Sequence, residues 1–226
     1  MIRLEKSEAL QRKIRQDDVA ELAIPTWTLA RQAMQAGSID EALDFIEYGC
    51  AETQAMHDAS VSIIDDAVTY LATRFGEEEI PKLFRQSFYP RVKDWMSATP
   101  GVEESLQRCA EYQRSHFSDF TIVEESDRYV VRCDPCGSGG RLRRTKSVGT
   151  TKKAYPWSWS KSGIPYYCTH CCVAWEIIPT ELWGYPIRIN LVTDRPEDPC
   201  VHLLYKKPEL IPEEYFTRIG MTKTIK

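Results

Sequence analysis

Two pairs of closely spaced cysteines constrain this chain more than any other feature of its sequence. Cys133 and Cys136 form one Cys-x-x-Cys turn, and Cys168 and Cys171 form another. Two intervening residues let the chain fold back so that both sulfur atoms of a pair face one ion at about 2.3 Å. The glycine that follows Cys136 favours a tight turn with positive φ. We therefore predict that the four cysteines hold one structural zinc ion.

Other interpretations of these cysteines stay open. They could be separate reduced thiols in a sheet, or one pair could be a redox dithiol, although a redox role does not explain two copies. Iron can replace zinc among four thiolates. A closed four-thiolate site stabilises a fold and does not activate water. A ligand set that uses His170 or Cys172 instead would leave a coordination position open.

The segment from about residue 128 to 178 resembles the zinc-ribbon family, whose knuckles have the form Cys-x-x-Cys-Gly at the tip of a hairpin. The first knuckle, Cys133-Asp-Pro-Cys136-Gly137, matches that form. The second departs from it, because Cys172 stands where glycine is usual. The resemblance implies a zinc ion that fixes the geometry of the surrounding sheet.

The first half of the sequence has helical periodicity. Ser38-Ile-Asp-Glu41 has the spacing of a capping box, and apolar residues then recur at helical spacing to Gly76. We predict one long helix there. Residues 7–35 are predicted to be helical with a break at Pro25, and residues 81–96 and 102–117 form two further helices, the former interrupted at Pro90.

After Ser118 the period of the apolar residues changes to two, which is typical of strands. Residues 120–124 and 128–133 are predicted to form a hairpin, and residues 200–205 to pair with a strand around Ile189 across the turn 194–199. The chain is therefore predicted to be α+β, with a helical half (1–117) packed on an antiparallel sheet (118–226) that carries the zinc site. The two parts could also be one integrated domain.

The charge and composition of the chain say little about which partners it binds. The formal net charge of -4 gives no overall reason to expect a nucleic acid or an anionic membrane. The charged amino terminus lacks a signal-peptide pattern, and no apolar run approaches the length of a membrane span. We expect a soluble, cytoplasmic protein that does not bind membranes, in which paired cysteines indicate metal or redox chemistry. A homo-oligomer stays open.

A basic and aromatic segment lies between the two cysteine pairs. Six basic residues without an acid occupy residues 141–153, and Tyr155, Trp157 and Trp159 follow them. Such a segment can clamp phosphates and stack bases, so Arg143, Arg144, Trp157 and Trp159 are candidate ligand-binding residues. The alternative is a solvated strand and a loop whose aromatic residues fold back on the core. We favour this alternative over the binding of nucleic acid.

On the long helix, polar residues form a stripe opposite the apolar one. His57 lies on it and is a candidate base or ligand-binding residue. The same stripe would arise if this side of the helix faced water. No second Glu-x-x-His is evident on another helix, so a carboxylate-bridged di-metal site is not predicted.

The late part of the chain carries three short patterns: Cys172-Val-Ala-Trp-Glu176, Gly184-Tyr-Pro186 and Asp198-Pro-Cys200-Val-His202-Leu-Leu-Tyr205. Together with the order of helices and sheet, they look like the L-2-amino-thiazoline-4-carboxylic acid hydrolase family and, more distantly, the vinyl-reductase-like small-ligand domains. The resemblance implies a compartment for a small organic molecule between helices and sheet. It would place Cys172, Glu176 and Cys200 near that molecule.

Two functional hypotheses follow. The first is a zinc-stabilised protein that binds a small polar or aromatic compound and acts on it as a hydrolase or related enzyme, with His170, Cys172 and Glu176 as the acid-base or thiol residues. The second is a binding module that presents the loop 141–153 to a nucleic acid or a partner protein. A structural or assembly role is a third.

Overall fold

The computed structural model describes residues 2–193 and 195–225 and divides the chain into two compact units, Met1–Ala59 and Ser60–Lys226. The helical amino-terminal half and the antiparallel carboxyl-terminal sheet confirm the predicted α+β class. The change of secondary structure predicted at residue 117 falls within the second unit. Asp194, in the predicted turn before the last strand, lies outside the described residues.

The first unit begins with a small hairpin in a segment predicted to be helical. Strands β1 (Leu4–Ser7) and β2 (Arg12–Arg15) pair antiparallel with Leu4 opposite Arg15, so the prediction of helix over residues 7–24 is wrong. Helix α1 (Thr26–Gln35) starts directly after Pro25, where the break was predicted. Its buried side packs small residues against the next helix, in a cluster of Ala30, Ala33, Ala42 and Phe45. The hairpin was missed because charged residues alternate with few apolar ones and give no clear period.

Helix α2 (Ile39–Phe75) confirms the long helix predicted from the capping box. It ends where Gly76 takes a φ of 106°, a conformation that favours glycine at the end of a helix. Helices α3 (Glu79–Ser97) and α4 (Val102–Ser115) follow as predicted. However, α3 continues through Pro90. Both Pro90 and Gln86, whose carbonyl loses its helical donor there, are exposed, so water can satisfy that carbonyl.

The second unit contains a four-stranded antiparallel sheet in the order β3-β4-β6-β5. Its strands are β3 (Phe120–Glu124), β4 (Arg128–Cys133), β5 (Ile189–Leu191) and β6 (Cys200–Tyr205), which confirms the predicted hairpin and last strand pair. His202 pairs with Val131 on one side and with Asn190 on the other, and Cys200 pairs with Cys133. Because residues directly opposite one another share a face, these side chains lie on one face of the sheet.

The two faces of this sheet are covered differently. The face opposite His202 carries Ile189, Leu203 and Tyr205 and is covered by the carboxyl-terminal segment, which contains helix α8 (Glu214–Thr217). Ile211 and Phe216 complete that core cluster. The His202 face carries Val131, Cys133, Cys200 and Leu204, and Cys109 of α4 packs against them. Apolar cover on both faces explains why polar residues of β5 and β6 are buried.

Short helices occupy much of the region predicted to be extended. They are α5 (Gly139–Thr145), α6 (His170–Cys172), a π-helical turn (Val173–Ile177) and α7 (Ile178–Trp183), with 3-10 turns at Pro156–Ser158 and Tyr167–Thr169. The run from His170 to Trp183 packs against α3 in a core that contains Ile80, Phe84, Val173 and Ile178. Residues buried on several sides give no amphipathic period, so the sequence did not indicate a helix here.

Candidate functional site

A cavity of about 400 Å³ lies within the second unit. Its apolar lining includes Leu83, Phe84 and Phe88 of α3 and Trp175 of the π-helical turn. Its polar lining includes Cys136, Ser138, His170, Cys171, Arg188 and His202. A cavity with apolar walls and a few converging polar groups is typical of a small-molecule site.

Cys136 reaches the cavity from a turn that depends on a close backbone approach. A methyl group on Gly137 would lie 1.9 Å from the carbonyl oxygen of His116, so no larger residue fits there without movement. The Gly137 amide donates a hydrogen bond of 2.7 Å to Ser118 Oγ. The predicted reason for this glycine, a positive φ, is wrong, because Gly137 is not among the glycines with positive φ. Space, and not backbone conformation, requires glycine here.

Cys136 is the most acidic thiol of this site. A hydrogen bond from the Cys200 thiol lowers the pKa of Cys136 well below its usual value, and this effect exceeds the opposing effect of burial. The amide of Gly140 and the amide and hydroxyl of Ser138 lower it further, with Ser138 Oγ 3.5 Å from the sulfur. These contacts favour the thiolate form of Cys136, which is the reactive form of cysteine.

His170 is fixed between aromatic rings as a neutral base. Its ring stacks on Phe88 at 5.8 Å and meets Tyr167 edge-on at 4.8 Å. Nδ1 lies 2.6 Å from the Tyr167 carbonyl oxygen, which can only accept, so Nδ1 carries the proton. Burial lowers the pKa of His170, so the ring is neutral and Nε2 keeps a lone pair. Nε2 lies 3.4 Å from Cys171 Sγ and accepts from that thiol.

Cys171 and Arg188 meet in the polar lining of the cavity. Arg188 Nη2 lies 3.6 Å from Cys171 Sγ. Burial raises the pKa of Cys171 to about 12, although the guanidinium opposes this increase. The guanidinium therefore favours the ionised form of Cys171, against the larger effect of burial.

The four cysteines predicted to bind zinc lie in the same region. A methyl group on Gly139 would lie 2.6 Å from Cys168 Sγ, so glycine permits α5 to approach the second cysteine turn closely. Burial raises the pKa of Cys133, Cys168 and Cys171, and the neighbouring Cys136 raises all three further. Among residues 2–193 and 195–225, however, no group of three or more cysteine, histidine or acidic side chains has the geometry to hold a metal ion. Zinc or iron stays a prediction, which elemental analysis of protein purified without added metal would test.

Of the three predicted catalytic residues, His170 lines the cavity and the other two lie elsewhere. Cys172 is fully buried, and its thiol donates to the Pro156 carbonyl at 3.5 Å. The Glu176 carboxylate is also fully buried and accepts hydrogen bonds from Trp159 Nε1 (2.7 Å), from Asn190 and from Arg218 Nη2 (2.7 Å). These contacts give Glu176 and Trp159 a structural role.

The predicted ligand-binding arginines hold the loop before β6. Arg143 donates to the carbonyl oxygens of Thr193 and Asp198. Arg144 donates to the carbonyls of Pro196 and Glu197 at 2.9 Å and to the Asp134 carboxylate at 2.7 Å. Both side chains are thus engaged with the protein itself. The binding-module hypothesis for residues 141–153 gains no support from them.

The two remaining predicted ligand-binding residues have other surroundings. Trp157 is buried in the core of the second unit and stacks on Tyr155 at 4.6 Å between ring centres. His57 lies in the first unit, with Nδ1 2.9 Å from Asp58 Oδ1. Neither is among the residues that line the cavity.

Arg188 and His202 are the site residues that the sequence did not reveal. Arg188 directly precedes Ile189 of the predicted strand and is 6% exposed. His202 is 3% exposed, and within the described residues neither of its ring nitrogens has a hydrogen-bond partner. A positively charged residue within the apolar stretch Ile187-Arg-Ile-Asn-Leu191 was the available signal. The strand register that places Arg188 near His202 was not readable from it.

Comparisons of the chain with protein-family models, with curated proteins and with solved structures find no match. The resemblances to zinc ribbons and to small-ligand domains therefore stay predictions. Among the helices of residues 2–193 and 195–225, none combines the length and the apolar composition needed to cross a bilayer.

The burial of His202 predicts a pH dependence of stability. Burial, Arg188 and His170 all lower the pKa of His202 well below its usual value, so the native ring stays neutral. As the pH falls below about 6.5, the unfolded chain binds a proton that the native state does not, and the free energy of unfolding decreases. Urea unfolding measures the decrease in the free energy of unfolding between about pH 7 and about pH 5.5. In His202→Phe this decrease should be ~1 kcal/mol smaller than in the unmodified protein. An equal loss in both proteins would contradict a neutral buried ring.

Proposed function

We propose that the second unit binds a small organic molecule in this cavity and acts on it by thiol chemistry, most simply as a hydrolase. The volume of about 400 Å³ is within the range of ligand sites. Phe84, Phe88 and Trp175 offer an apolar surface to the ligand, and the polar lining supplies the reacting groups. The observation that carries the proposal is an acidic thiol, Cys136, on the wall of a cavity that a neutral histidine also lines.

In this reaction Cys136 is the nucleophile, a role that excludes it as a ligand of the predicted zinc ion. Because its pKa is lowered, its sulfur ionises more readily than an ordinary thiol and can attack an electrophilic carbon of the ligand. A carbon–sulfur bond forms, and the leaving group departs with the electron pair of the bond that breaks. The product of this step is a covalent adduct on Cys136.

His170 has the form needed for the second step. Its Nδ1 proton is held by the Tyr167 carbonyl, so Nε2 can accept a proton from water as that water attacks the adduct, once the Cys171 thiol has rotated away from Nε2. The Cys136 thiolate then leaves with the electron pair of the carbon–sulfur bond. His170 then passes the proton that it took from water to the departed leaving group, so the net reaction adds water across the bond that was broken and regenerates both residues.

A neutral aromatic reagent tests the cavity and the thiol together. N-benzyl-2-chloroacetamide at about pH 7 should alkylate Cys136 faster than the other cysteines, as measured by peptide mass spectrometry over time. The rate at Cys136 should change little between about pH 7 and about pH 9, whereas an unperturbed thiol reacts about tenfold faster for each pH unit below its pKa. Preferential labelling of Cys172, which lies away from the cavity, would contradict the proposal.

Two tryptophan variants on the same helix provide the control. Ser87 lines the cavity, and its hydroxyl donates to the carbonyl four residues earlier. Ser97 makes the same backbone hydrogen bond but is exposed and is not among the lining residues. Ser87→Trp should fill the cavity and slow alkylation of Cys136 about tenfold or more, and Ser97→Trp should not. Equal rates in the two variants would show that the reagent does not enter through this cavity.

A further inference from the structure

Arg188 is a buried cation without a carboxylate partner. The side chain lies directly before β5, is 6% exposed and lines the cavity. Within the described part of the chain, no ion pair includes Arg188, whereas the buried carboxylate of Glu176 pairs with Arg218. A buried charge that is not compensated is costly, so the protein should supply or receive a counter-charge.

The contacts of Arg188 orient the guanidinium and include no carboxylate among the described residues. Nε donates to Asn190 Oδ1 at 2.9 Å, and Nη1 and Nη2 reach Cys109 Sγ at 3.7 Å and Cys171 Sγ at 3.6 Å. The group also lies over the ring of Trp175, 4.9 Å from its centre. A guanidinium has five N–H donors, and these contacts use three of them. The remaining two are available to an acceptor in the cavity.

His202 lies opposite Asn190, two residues after Arg188, and also lines the cavity. It is 3% exposed, and both of its ring nitrogens are without partners among the described residues. Buried polar groups almost always have hydrogen-bond partners, so two unpaired nitrogens at a cavity wall indicate a missing partner. A neutral imidazole offers one N–H donor to it.

We propose that Arg188 and His202 bind the charged group of a small organic monoanion, such as a carboxylate, in the cavity. This inference rests on the proposed function and names the class of its ligand. One permanent positive charge and one neutral donor match a single negative charge better than a dianion. The rest of the molecule lies against Phe84, Phe88 and Trp175, so the ligand is an aromatic or otherwise apolar carboxylate.

A carboxylate and its amide distinguish charge recognition from apolar binding. Calorimetry on the full-length protein at about pH 7.5 would compare 2-naphthoate with 2-naphthamide. The carboxylate should bind about tenfold more tightly or better, because only it forms charge-assisted hydrogen bonds. In Arg188→Met this preference should disappear. In Arg132→Met, which removes an exposed arginine of β4, it should persist.

A second variant covers the case in which Arg188→Met does not fold. His202→Phe loses no hydrogen bond that the described residues make, so it should fold, and it should weaken binding of naphthoate severalfold with little change for naphthamide. Equal affinities of the two probes for the unmodified protein would overturn the inference. If N-benzyl-2-chloroacetamide still labels Cys136 through the cavity in that case, the proposed function stands and the anionic ligand does not.

Discussion

Gly137→Ala is expected to destabilise the second unit by about 3 kcal/mol or more. The added methyl group would lie 1.9 Å from the carbonyl oxygen of His116 and 2.8 Å from the amide nitrogen of Ser118. Both are backbone atoms next to the end of α4, so no side-chain rotation can make room. The substitution would also break the 2.7 Å hydrogen bond from the Gly137 amide to Ser118 Oγ. Because Cys136 precedes this glycine, its position in the cavity should change as well.

Urea unfolding followed by tryptophan fluorescence measures this effect, because every tryptophan except Trp27 belongs to the second unit. Gly101→Ala is the matched control. Its φ is -69°, and the nearest atom to the added methyl group is a flexible Glu103 oxygen at 3.6 Å. The control should cost less than ~1 kcal/mol. Equal free energies of unfolding for the two variants would show that the Cys136 turn tolerates a side chain.

Glu176→Gln is expected to cost about 3 kcal/mol, because it removes the charge from a fully buried carboxylate while its donors remain. Oε1 accepts from Trp159 Nε1 at 2.7 Å, from the Asn190 amide nitrogen at 2.8 Å and from Asn190 Nδ2 at 2.9 Å. Oε2 accepts from Arg218 Nη2 at 2.7 Å. An amide has one oxygen, so its NH₂ group must face one of these sets of donors.

The control for Glu176→Gln is an exposed ion pair on α7. Glu181 pairs with Arg85 at 2.6 Å, with side chains 34% and 45% exposed. Glu181→Gln should therefore cost less than ~1 kcal/mol. The free energy of unfolding from urea titrations compares the two. A cost for Glu176→Gln as small as that for Glu181→Gln would contradict the structural role of Glu176.

Periodicity predicted the elements that have one buried side. The capping box at Ser38 and the apolar stripe behind it defined α2, and alternation defined the hairpin β3-β4 and strand β6. The helical run from His170 to Trp183 is in contact with the core on several sides, so its apolar residues show no helical periodicity. The amino-terminal hairpin was missed for the opposite reason, since it buries too little to show alternation.

The candidate site was predictable in its location but not in its chemistry. The spacing of the cysteines drew attention to two turns, and the structure brings those turns close together through Gly139 and Cys168. His170 was found because it lies within one of them. The acidity of Cys136 depends on Cys200, which is distant in the sequence and adjacent through strand register. The same register brings Arg188 and His202 to one cavity, which no local pattern encodes.

A crystal structure of the full-length protein after reaction with N-benzyl-2-chloroacetamide would show whether a small molecule enters this cavity and meets Cys136. We expect a bond from Cys136 Sγ to the reagent, with the benzyl ring among Phe84, Phe88 and Trp175. A structure in which side chains fill the cavity, or in which the adduct is on a cysteine outside it, would rule out the proposed site.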